Sequence, residues 1–301
     1  MDDSGNIFYC TTELGVVRVI GEKAATFLHG QLSNSIKDLK SGSGNYNLLL
    51  TNKGKVQADA YVLNRGGFFD IIVENIFLTK IKEHLDKLAP LSRVTVTSVP
   101  TLKVLHVFGE RPSLWPALDL GQADDVTHGD RRGFLFRSDR LGELGYDVIV
   151  ESEELGLFVD FLKQNGARYL TANEVNERRI KNGMPKVGVD VTESNLPQEG
   201  HLDGALHFNK GCYLGQEVIA RLHFRGHVNK ILGHFVLENE AVVLPREIHD
   251  GSGAEVGVVT SITSDVANQK TYVLAYVPAK SFEGGESFYL GGQKLTIVQK
   301  S

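Results

Sequence analysis

Eight consecutive residues, 210–217, combine more reactive side-chain types than a segment that only packs would need. They are, in order, Lys210, Gly211, Cys212, Tyr213, Leu214, Gly215, Gln216 and Glu217. An ionised cysteine thiol is a soft nucleophile and a metal ligand. A neighbouring lysine and the N-terminus of a helix both favour the ionised form. We therefore take Cys212 as a candidate reactive thiol; the alternative is a small buried cysteine that only fills space.

The residues around this octad predict a turn between a strand and a helix. Residues 205–209 have the pattern of a short strand, and residues 218–222 are good helix formers. Gly211 and Gly215 suit a tight connection, because glycine enters positive φ without steric cost. The helix is expected to begin at Gly215.

The octad resembles the Lys-Gly-Cys-aromatic-x-Gly-Gln-Glu signature of the YgfZ family, folate-binding proteins related to the T-protein, the aminomethyltransferase of the glycine cleavage system. Every fixed position of the signature is present. The dipeptides Ala220-Arg221 and Arg225-Gly226 also fit the family pattern. Near the start of the chain, Phe27-Leu28-His29-Gly30-Gln31 is similar to a T-protein element. The resemblance covers nearly the whole sequence.

This resemblance implies an α+β fold with a T-protein-like three-domain ring. Residues 1–45 and 101–225 are expected to form a discontinuous folate-binding body, and residues 46–100 an inserted ferredoxin-like unit. Residues 226–301 contain short strands separated by glycine turns, which predict a C-terminal antiparallel β-barrel. The local patterns also predict a first hairpin within residues 7–20 and an amphipathic helix over residues 76–88 that ends at Pro90.

Three residues outside the octad are expected to contact a folate. Glu199 ends a Leu-Pro-x-Glu element like the one beside the folate in the relatives, and a carboxylate can accept two parallel hydrogen bonds from pterin N–H groups. Arg179 lies in an Arg-x-x-x-Gly-x-Pro pattern, within a basic cluster that either meets an anionic tail or is a solvated helix face. Asp59 is the third. If the octad were absent, we would interpret Glu199 as an acidic residue of a surface loop.

Residues 50–59 resemble the T-protein segment that carries its catalytic aspartate, but that position aligns with Ala58. Alanine cannot take part in acid–base chemistry. Asp59 follows directly, and neighbouring residues of a strand point to opposite faces. The sequence therefore argues against glycine-cleavage aminomethyl transfer.

Composition and spacing exclude several classes of protein. A net charge of −5 argues against an extended nucleic-acid surface, so no direct nucleic-acid partner is expected. Two cysteines, Cys10 and Cys212, cannot supply the four thiolates of an iron–sulfur cluster, and no spacing typical of a metal site occurs. The acidic start and the lack of an apolar run of about 18 residues predict a cytoplasmic protein without membrane contact.

The resemblance implies a folate-binding protein that supports iron–sulfur cluster assembly or repair in client enzymes, with effects on tRNA modification. The expected ligand is tetrahydrofolate or a derivative, and the expected partners are iron–sulfur clients or assembly proteins. Two alternatives stay open: a folate-dependent one-carbon (aminomethyl) transferase or demethylase, and a non-catalytic scaffold that docks partners. The octad favours the first function, since a transferase of this fold does not need the cysteine. Whether any reaction is catalysed also stays open.

Overall fold

The structure is a computed structural model and describes residues 7–109, 115–128, 131–238 and 246–298. In these residues the strands are, in chain order, β1 (Ile7–Thr11), β2 (Leu14–Ile20), β3 (Ser43–Leu50), β4 (Val56–Asn64), β5 (Phe68–Glu74), β6 (Thr95–Ser98), β7 (Leu102–Gly109), β8 (Ala123–His128), β9 (Arg131–Ser138), β10 (Gly145–Glu151), β11 (Arg168–Tyr169), β12 (Lys230–Leu237), β13 (Glu247–His249), β14 (Glu255–Asp265), β15 (Lys270–Pro278), β16 (Phe288–Leu290) and β17 (Gln293–Ile297). The helices are α1 (Ala24–Gln31), α2 (Asn75–Ser92), α3 (Leu155–Gln164), α4 (Ala172–Lys181), α5 (Gln216–Arg225) and α6 (Ala279–Glu283). The mixture confirms the predicted α+β class.

The chain divides into two compact units. The first unit comprises Met1–Leu50, Ala58–Val175 and Ala205–Leu214, and the second comprises Thr51–Gln57, Asn176–Gly204 and Gly215–Ser301. The octad therefore contributes residues 210–214 to the first unit and residues 215–217 to the second. The domain boundaries expected after residues 45, 100 and 225 stay a prediction.

Two sheets form the first unit. One has the strand order β3–β4–β5–β2–β6, with antiparallel pairing of β2 to both β5 and β6. The other has the order β11–β1–β7–β10–β9–β8, in which β1 and β11 run parallel and the remaining neighbours antiparallel. Helix α3 packs on the second sheet through apolar side chains that include Phe158, Phe161 and Leu162.

Strands β1 and β2 do not form the predicted hairpin. β1 pairs with β7 and β11, whereas β2 pairs with β5 and β6. Only Thr12 and Glu13 join the two strands, and neither is the glycine or asparagine that a two-residue hairpin turn favours. Both strands are largely buried, so an inner position in a larger sheet stabilises each of them better than an isolated ribbon would.

Helix α2 continues past Pro90, where the sequence predicts its end. Pro90 lies in the last turn, and Arg93 then adopts a left-handed conformation with φ of 53°. The N–H of Arg93 donates to the carbonyl of Pro90 at 3.3 Å. A proline in the last turn of a helix removes only one backbone donor, so the helix tolerates it there better than in its middle. Of the predicted apolar face, Phe77, Ile81 and Leu85 are buried and Leu88 is half-buried, whereas Ile76 in the first turn is exposed, so its inclusion in the face was wrong.

The chain after α5 closes into a six-stranded barrel, which confirms the predicted C-terminal antiparallel β-barrel. The strand order is β12–β15–β14–β13–β16–β17, and pairing of β12 with β17 completes the ring of hydrogen bonds. The interior is filled by apolar side chains such as Phe235, Ile248, Val273 and Phe288. Among the helices of the described residues, none has both the length and the apolar character required to cross a bilayer.

Candidate functional site

The segment before the octad is not the predicted strand. Asp203–Ala205 is a turn of 3-10 helix, and residues 206–209 pair with no strand in the described chain. Ser33 Oγ donates to the carbonyl of Ala205 at 2.6 Å, and the N–H of His207 donates to the carbonyl of Ser33 at 3.2 Å. These two bonds tie the segment to the loop after α1 and satisfy two of its backbone groups without a strand partner.

Helix α5 begins directly after Gly215, as predicted. Gly215 has φ of 81°, a left-handed conformation that glycine adopts freely. A side-chain carbon at this position would lie 2.5 Å from the carbonyl oxygen of Thr51 and 3.0 Å from Cα of Gly54. Both the backbone conformation and the close approach therefore require glycine, so this octad position serves the fold of the second unit.

Lys210 is held by three backbone carbonyls of the first unit. Its Nζ donates to the carbonyl oxygens of His29 and Leu32, both at 2.6 Å, and to that of Asn34 at 2.7 Å. The first two belong to the end of α1, where carbonyls lack intrahelical partners. Lys210 therefore caps α1 and fixes the loop that follows it.

The charge of Lys210 lies in a partly buried environment. Burial, followed by repulsion from Lys37, lowers the pKa of Lys210 to about 7, while the three carbonyl acceptors favour the ammonium form. The same ammonium lies 4.9 Å from the ring centroid of Tyr213, a cation–π distance. Tyr213 is buried, and burial raises its pKa to about 12. The lysine and the tyrosine thus anchor the loop on either side of Cys212.

Cys212 is exposed beside a cavity of about 500 Å³ within the first unit. The cavity is lined by residues of the octad and by residues at and after the end of α1, including His29, Lys37 and Asp38. Its volume lies in the range of small-molecule sites. The alternative of a buried packing cysteine therefore does not apply to Cys212.

The other cysteine has the opposite environment. Cys10 is 4% exposed in the core of the first unit. Burial, followed by the negative charge of Asp147, raises the pKa of Cys10 to about 12. The thiol of Cys10 is therefore neutral and shielded at physiological pH.

Glu199 is buried in the second unit, where it is 6% exposed. Its Oε2 accepts hydrogen bonds from the N–H of Leu196 at 3.0 Å and from Nδ2 of Asn195 at 3.3 Å. Its Oε1 accepts none from the residues that the structure describes. One carboxylate oxygen is thus used to cap the 3-10 turn Pro197–Gly200, and the other makes no hydrogen bond to the described residues.

Tyr276, which the sequence analysis missed, lies near Glu199. Its hydroxyl is buried and has no hydrogen-bond partner among the described residues. Burial raises the pKa of Tyr276, and the charges of Glu199 and Asp190 add to that effect. A buried phenol without a partner and a carboxylate with one unused oxygen fit a ligand that carries N–H donors, as a pterin ring does.

Arg179 is a central hydrogen-bonding residue of the second unit. Its Nη1 donates to Oδ2 of Asp190 at 2.7 Å and to the carbonyl of Met184 at 3.1 Å. Its Nε donates to Asn176 Oδ1 at 2.8 Å, and its Nη2 donates to Ser261 Oγ at 2.9 Å. Four of the five guanidinium protons are thereby used inside the unit. A contact of the remaining proton with folate stays a prediction.

Ala58 and Asp59 occupy opposite faces of β4 in the first unit, as strand geometry predicts. Ala58 is fully buried, whereas Asp59 is partly exposed and accepts a hydrogen bond from Tyr46 Oη at 2.9 Å. Burial raises the pKa of Asp59, although the bond from Tyr46 acts in the opposite direction. The position aligned with the transferase acid is therefore a methyl group in the core.

The end of the octad lines a different cavity, of about 530 Å³, in the second unit. Glu217 lies there with Arg221 and Arg225 of α5. Of the residues of α5, only Ile219 is buried. The two arginines that fit the family pattern are thus exposed on one helix.

The GCVT N-terminal domain family matches residues 8–210 of the chain. The alignment with the aminomethyltransferase of Staphylococcus carnosus is 322 positions long with its gaps and 24% identical, and it covers 96% of this chain and 83% of that protein. The tRNA-modifying protein YgfZ of Hamiltonella defensa is 25% identical over 72% of this chain and 65% of its own length. The iron-sulfur cluster assembly factor IBA57 homolog of Mycosarcoma maydis is 26% identical over 78% of this chain and 58% of its own length.

Among solved structures, the glycine cleavage system aminomethyltransferase T of Bartonella henselae has the same fold. The TM-score is 0.83 at 18% sequence identity, over 99% of this chain and 86% of that one. The expected T-protein-like fold is thereby confirmed.

Proposed function

Because the chain belongs to the GCVT N-terminal domain family, we propose that it is a cytosolic folate-binding protein that supports iron–sulfur cluster assembly or repair in client enzymes. An effect on tRNA modification would follow through those clients. The observation that carries this proposal is the exposed thiol of Cys212 at the edge of a cavity, on a loop held by Lys210. The relatives named as a tRNA-modifying protein and as an iron-sulfur cluster assembly factor support it.

The rival function is folate-dependent aminomethyl transfer or demethylation, and the aminomethyltransferases among the relatives support it. Against it stands Ala58, whose methyl group is fully buried where that chemistry requires an acid. A third possibility is a scaffold that docks partners without folate. Measured folate binding separates the first two functions from this third one.

Residues of the second unit fit tetrahydrofolate as the ligand. Glu199 Oε1 would accept from the pterin N–H groups, and the Tyr276 hydroxyl would satisfy its missing hydrogen bond. Arg179 is the further proposed contact in this unit, and the expected folate contact of Asp59, a residue of the first unit, stays a prediction. When bound, tetrahydrofolate supplies ring nitrogens that carry one-carbon units; the residues named here bind and orient it.

We predict that Glu199→Ala weakens tetrahydrofolate binding about 10-fold to 100-fold, the loss expected when a buried, charged hydrogen-bond partner of the ligand is removed. Titration calorimetry on the purified protein measures the change. Glu193→Ala, which removes an exposed glutamate from the same segment, serves as the control and should bind normally. Since Glu199 also caps a turn, the melting temperature of each variant must be recorded. Unchanged affinity in folded Glu199→Ala would remove this residue from the site.

We predict that the protein does not release ammonia from a lipoyl-bound aminomethyl donor in the presence of tetrahydrofolate. The physical reason is the absence of an acid at Ala58. An authentic T-protein assayed in parallel is the positive control. Robust tetrahydrofolate-dependent ammonia release would establish the rival function instead.

A further inference from the structure

His29 at the end of α1 presents a fixed hydrogen-bond donor to the Cys212 cavity. Its Nδ1 accepts from the backbone N–H groups of Ile36 at 3.3 Å and Lys37 at 3.4 Å. A ring nitrogen that accepts a hydrogen bond carries no proton, so in the neutral ring the proton is on Nε2. Burial, followed by the charges of Lys210 and Lys37, lowers the pKa of His29, and the ring is therefore neutral at physiological pH.

The Nε2–H of His29 has no protein partner among the described residues. The side chain is only 9% exposed, and it is one of the cavity-lining residues. A Cβ placed on Gly211, the residue before Cys212, would lie 3.8 Å from Nε2. Nε2 therefore lies close to the backbone that carries the thiol. Because the ring lines the cavity, this N–H can donate to an acceptor of a ligand bound there.

The charged groups of the cavity favour a negatively charged acceptor. Lys37 and Lys210 are both lining residues, and Asp38 is the one acid among them. Asp38 already accepts a hydrogen bond from Ser35 Oγ at 2.5 Å. Lys210 is engaged by its three carbonyls, whereas Lys37 Nζ makes no hydrogen bond or ion pair within the described chain. Lys37 is thus the cation of the cavity that no described residue engages, and His29 is a donor held in place by its Nδ1 bonds.

We propose that His29 Nε2 and Lys37 Nζ form an oxyanion-binding subsite beside Cys212, which takes a carboxylate or phosphate group of a small ligand. A volume of about 500 Å³ suits such a ligand. The subsite rests on the proposed role of Cys212 as the reacting thiol and names the class of molecule that meets it. Its test uses purified protein alone and requires neither folate nor an iron–sulfur client, so the two proposals fail independently.

The test compares how fast Cys212 reacts with an anionic and a neutral disulfide, 5,5′-dithiobis(2-nitrobenzoate) and 4,4′-dithiodipyridine. In each reaction the Cys212 thiolate attacks the reagent's S–S bond, a mixed disulfide forms, and the coloured thiol that leaves is recorded. Cys10 is a spectator, because it is buried and its pKa is about 12. The quantity compared is the rate constant for the anionic reagent divided by that for the neutral reagent. Because a change in the reactivity of the thiol affects both rate constants, their ratio reports on the binding of the anion.

Four variants dissect the subsite. His29→Asn keeps an acceptor near the position of Nδ1 but lacks the Nε2 donor, and should lower the ratio about threefold to tenfold. His29→Gln restores an N–H near Nε2 and should recover part of the loss. Lys37→Gln should lower the ratio about twofold to fivefold. Lys40→Gln removes an exposed charge three residues away, outside the cavity lining, and should leave the ratio unchanged.

A second measurement needs no variant. Inorganic phosphate or acetate should slow the reaction of wild-type Cys212 with the neutral reagent, whereas chloride at equal ionic strength should not. Stronger protection by one of the two anions identifies the phosphate or the carboxylate as the preferred group. The proposal of the subsite is refuted if neither anion protects Cys212. It is also refuted if the ratio of rate constants falls in Lys37→Gln but not in folded His29→Asn, because that pattern would reflect only long-range electrostatic attraction.

Discussion

Replacing Cys212 by alanine is expected to leave the protein folded and to remove most of its support for iron–sulfur enzymes in cells. The thiol is exposed, so its loss should change the free energy of unfolding by about 1 kcal/mol or less. No other octad side chain is a soft nucleophile or ligand, and Lys210 is occupied by three carbonyls. Two measurements test this: the melting temperature of the variant, and the activity of an iron–sulfur enzyme in a deletion strain that expresses it.

Cys10→Ala is the matched control for this experiment. It removes the same atom from the core, where Cys10 is 4% exposed, and should cost stability while leaving client activity intact. Comparing the two variants therefore distinguishes the effect of lost core packing from the effect of a lost reactive thiol. Full complementation by Cys212→Ala would make Cys212 a non-essential surface residue and would refute the proposed role of the thiol.

Replacing Arg179 by methionine is expected to destabilise the second unit by about 3–5 kcal/mol, the usual cost of removing one partner of a buried ion pair. The change leaves Asp190, which is 1% exposed, with an uncompensated charge. The remaining bonds to Asp190, from Thr260 Oγ1 at 2.5 Å and from the N–H of Lys186 at 2.9 Å, do not neutralise it. Urea denaturation followed by circular dichroism measures the loss.

Arg225→Met provides the comparison, because Arg225 is an exposed arginine in the same unit and its replacement should shift stability by about 0.5 kcal/mol at most. If Arg179→Met is as stable as Arg225→Met, the hydrogen bonds of Arg179 do not hold the second unit together. Adding tetrahydrofolate to the denaturation of Glu199→Ala and Arg179→Met then distinguishes a residue that binds ligand from one that maintains the fold.

Local signals in the sequence predicted the elements that depend on local chemistry. Gly215 indicated the start of α5 because only glycine adopts its backbone conformation easily. The start of α4 also depends on local chemistry: the Thr171 N–H donates to Glu174 Oε2 at 2.8 Å, and the Glu174 N–H donates to Thr171 Oγ1 at 3.3 Å. Glycine turns between short strands indicated the barrel.

Features that depend on distant parts of the chain were not predictable in this way. The partners of β1 lie about 100 to 160 residues further along the chain, so its local pattern could not reveal that it leaves β2. Tyr276 has ordinary sequence surroundings, and His29 is the variable position of the T-protein-like element Phe27-Leu28-His29-Gly30-Gln31. Both became candidates because the His29 ring lines the cavity and the buried Tyr276 hydroxyl has no hydrogen-bond partner in the described part of the chain, and these are properties of the folded chain. The match to known motifs located Cys212, but the cavity beside it required the structure.

The three carbonyls around Lys210 decide which cation the first position of the octad accepts. An ammonium is compact and directs three protons tetrahedrally, which matches three oxygens converging on one point. A guanidinium is flat and directs its N–H groups outward in one plane, so arginine would carry the same charge and still leave carbonyls of α1 unsatisfied. Shape fixes this residue, whereas packing places little constraint on the exposed Cys212. In this loop the fold therefore requires the lysine, whereas only a chemical role would require the cysteine.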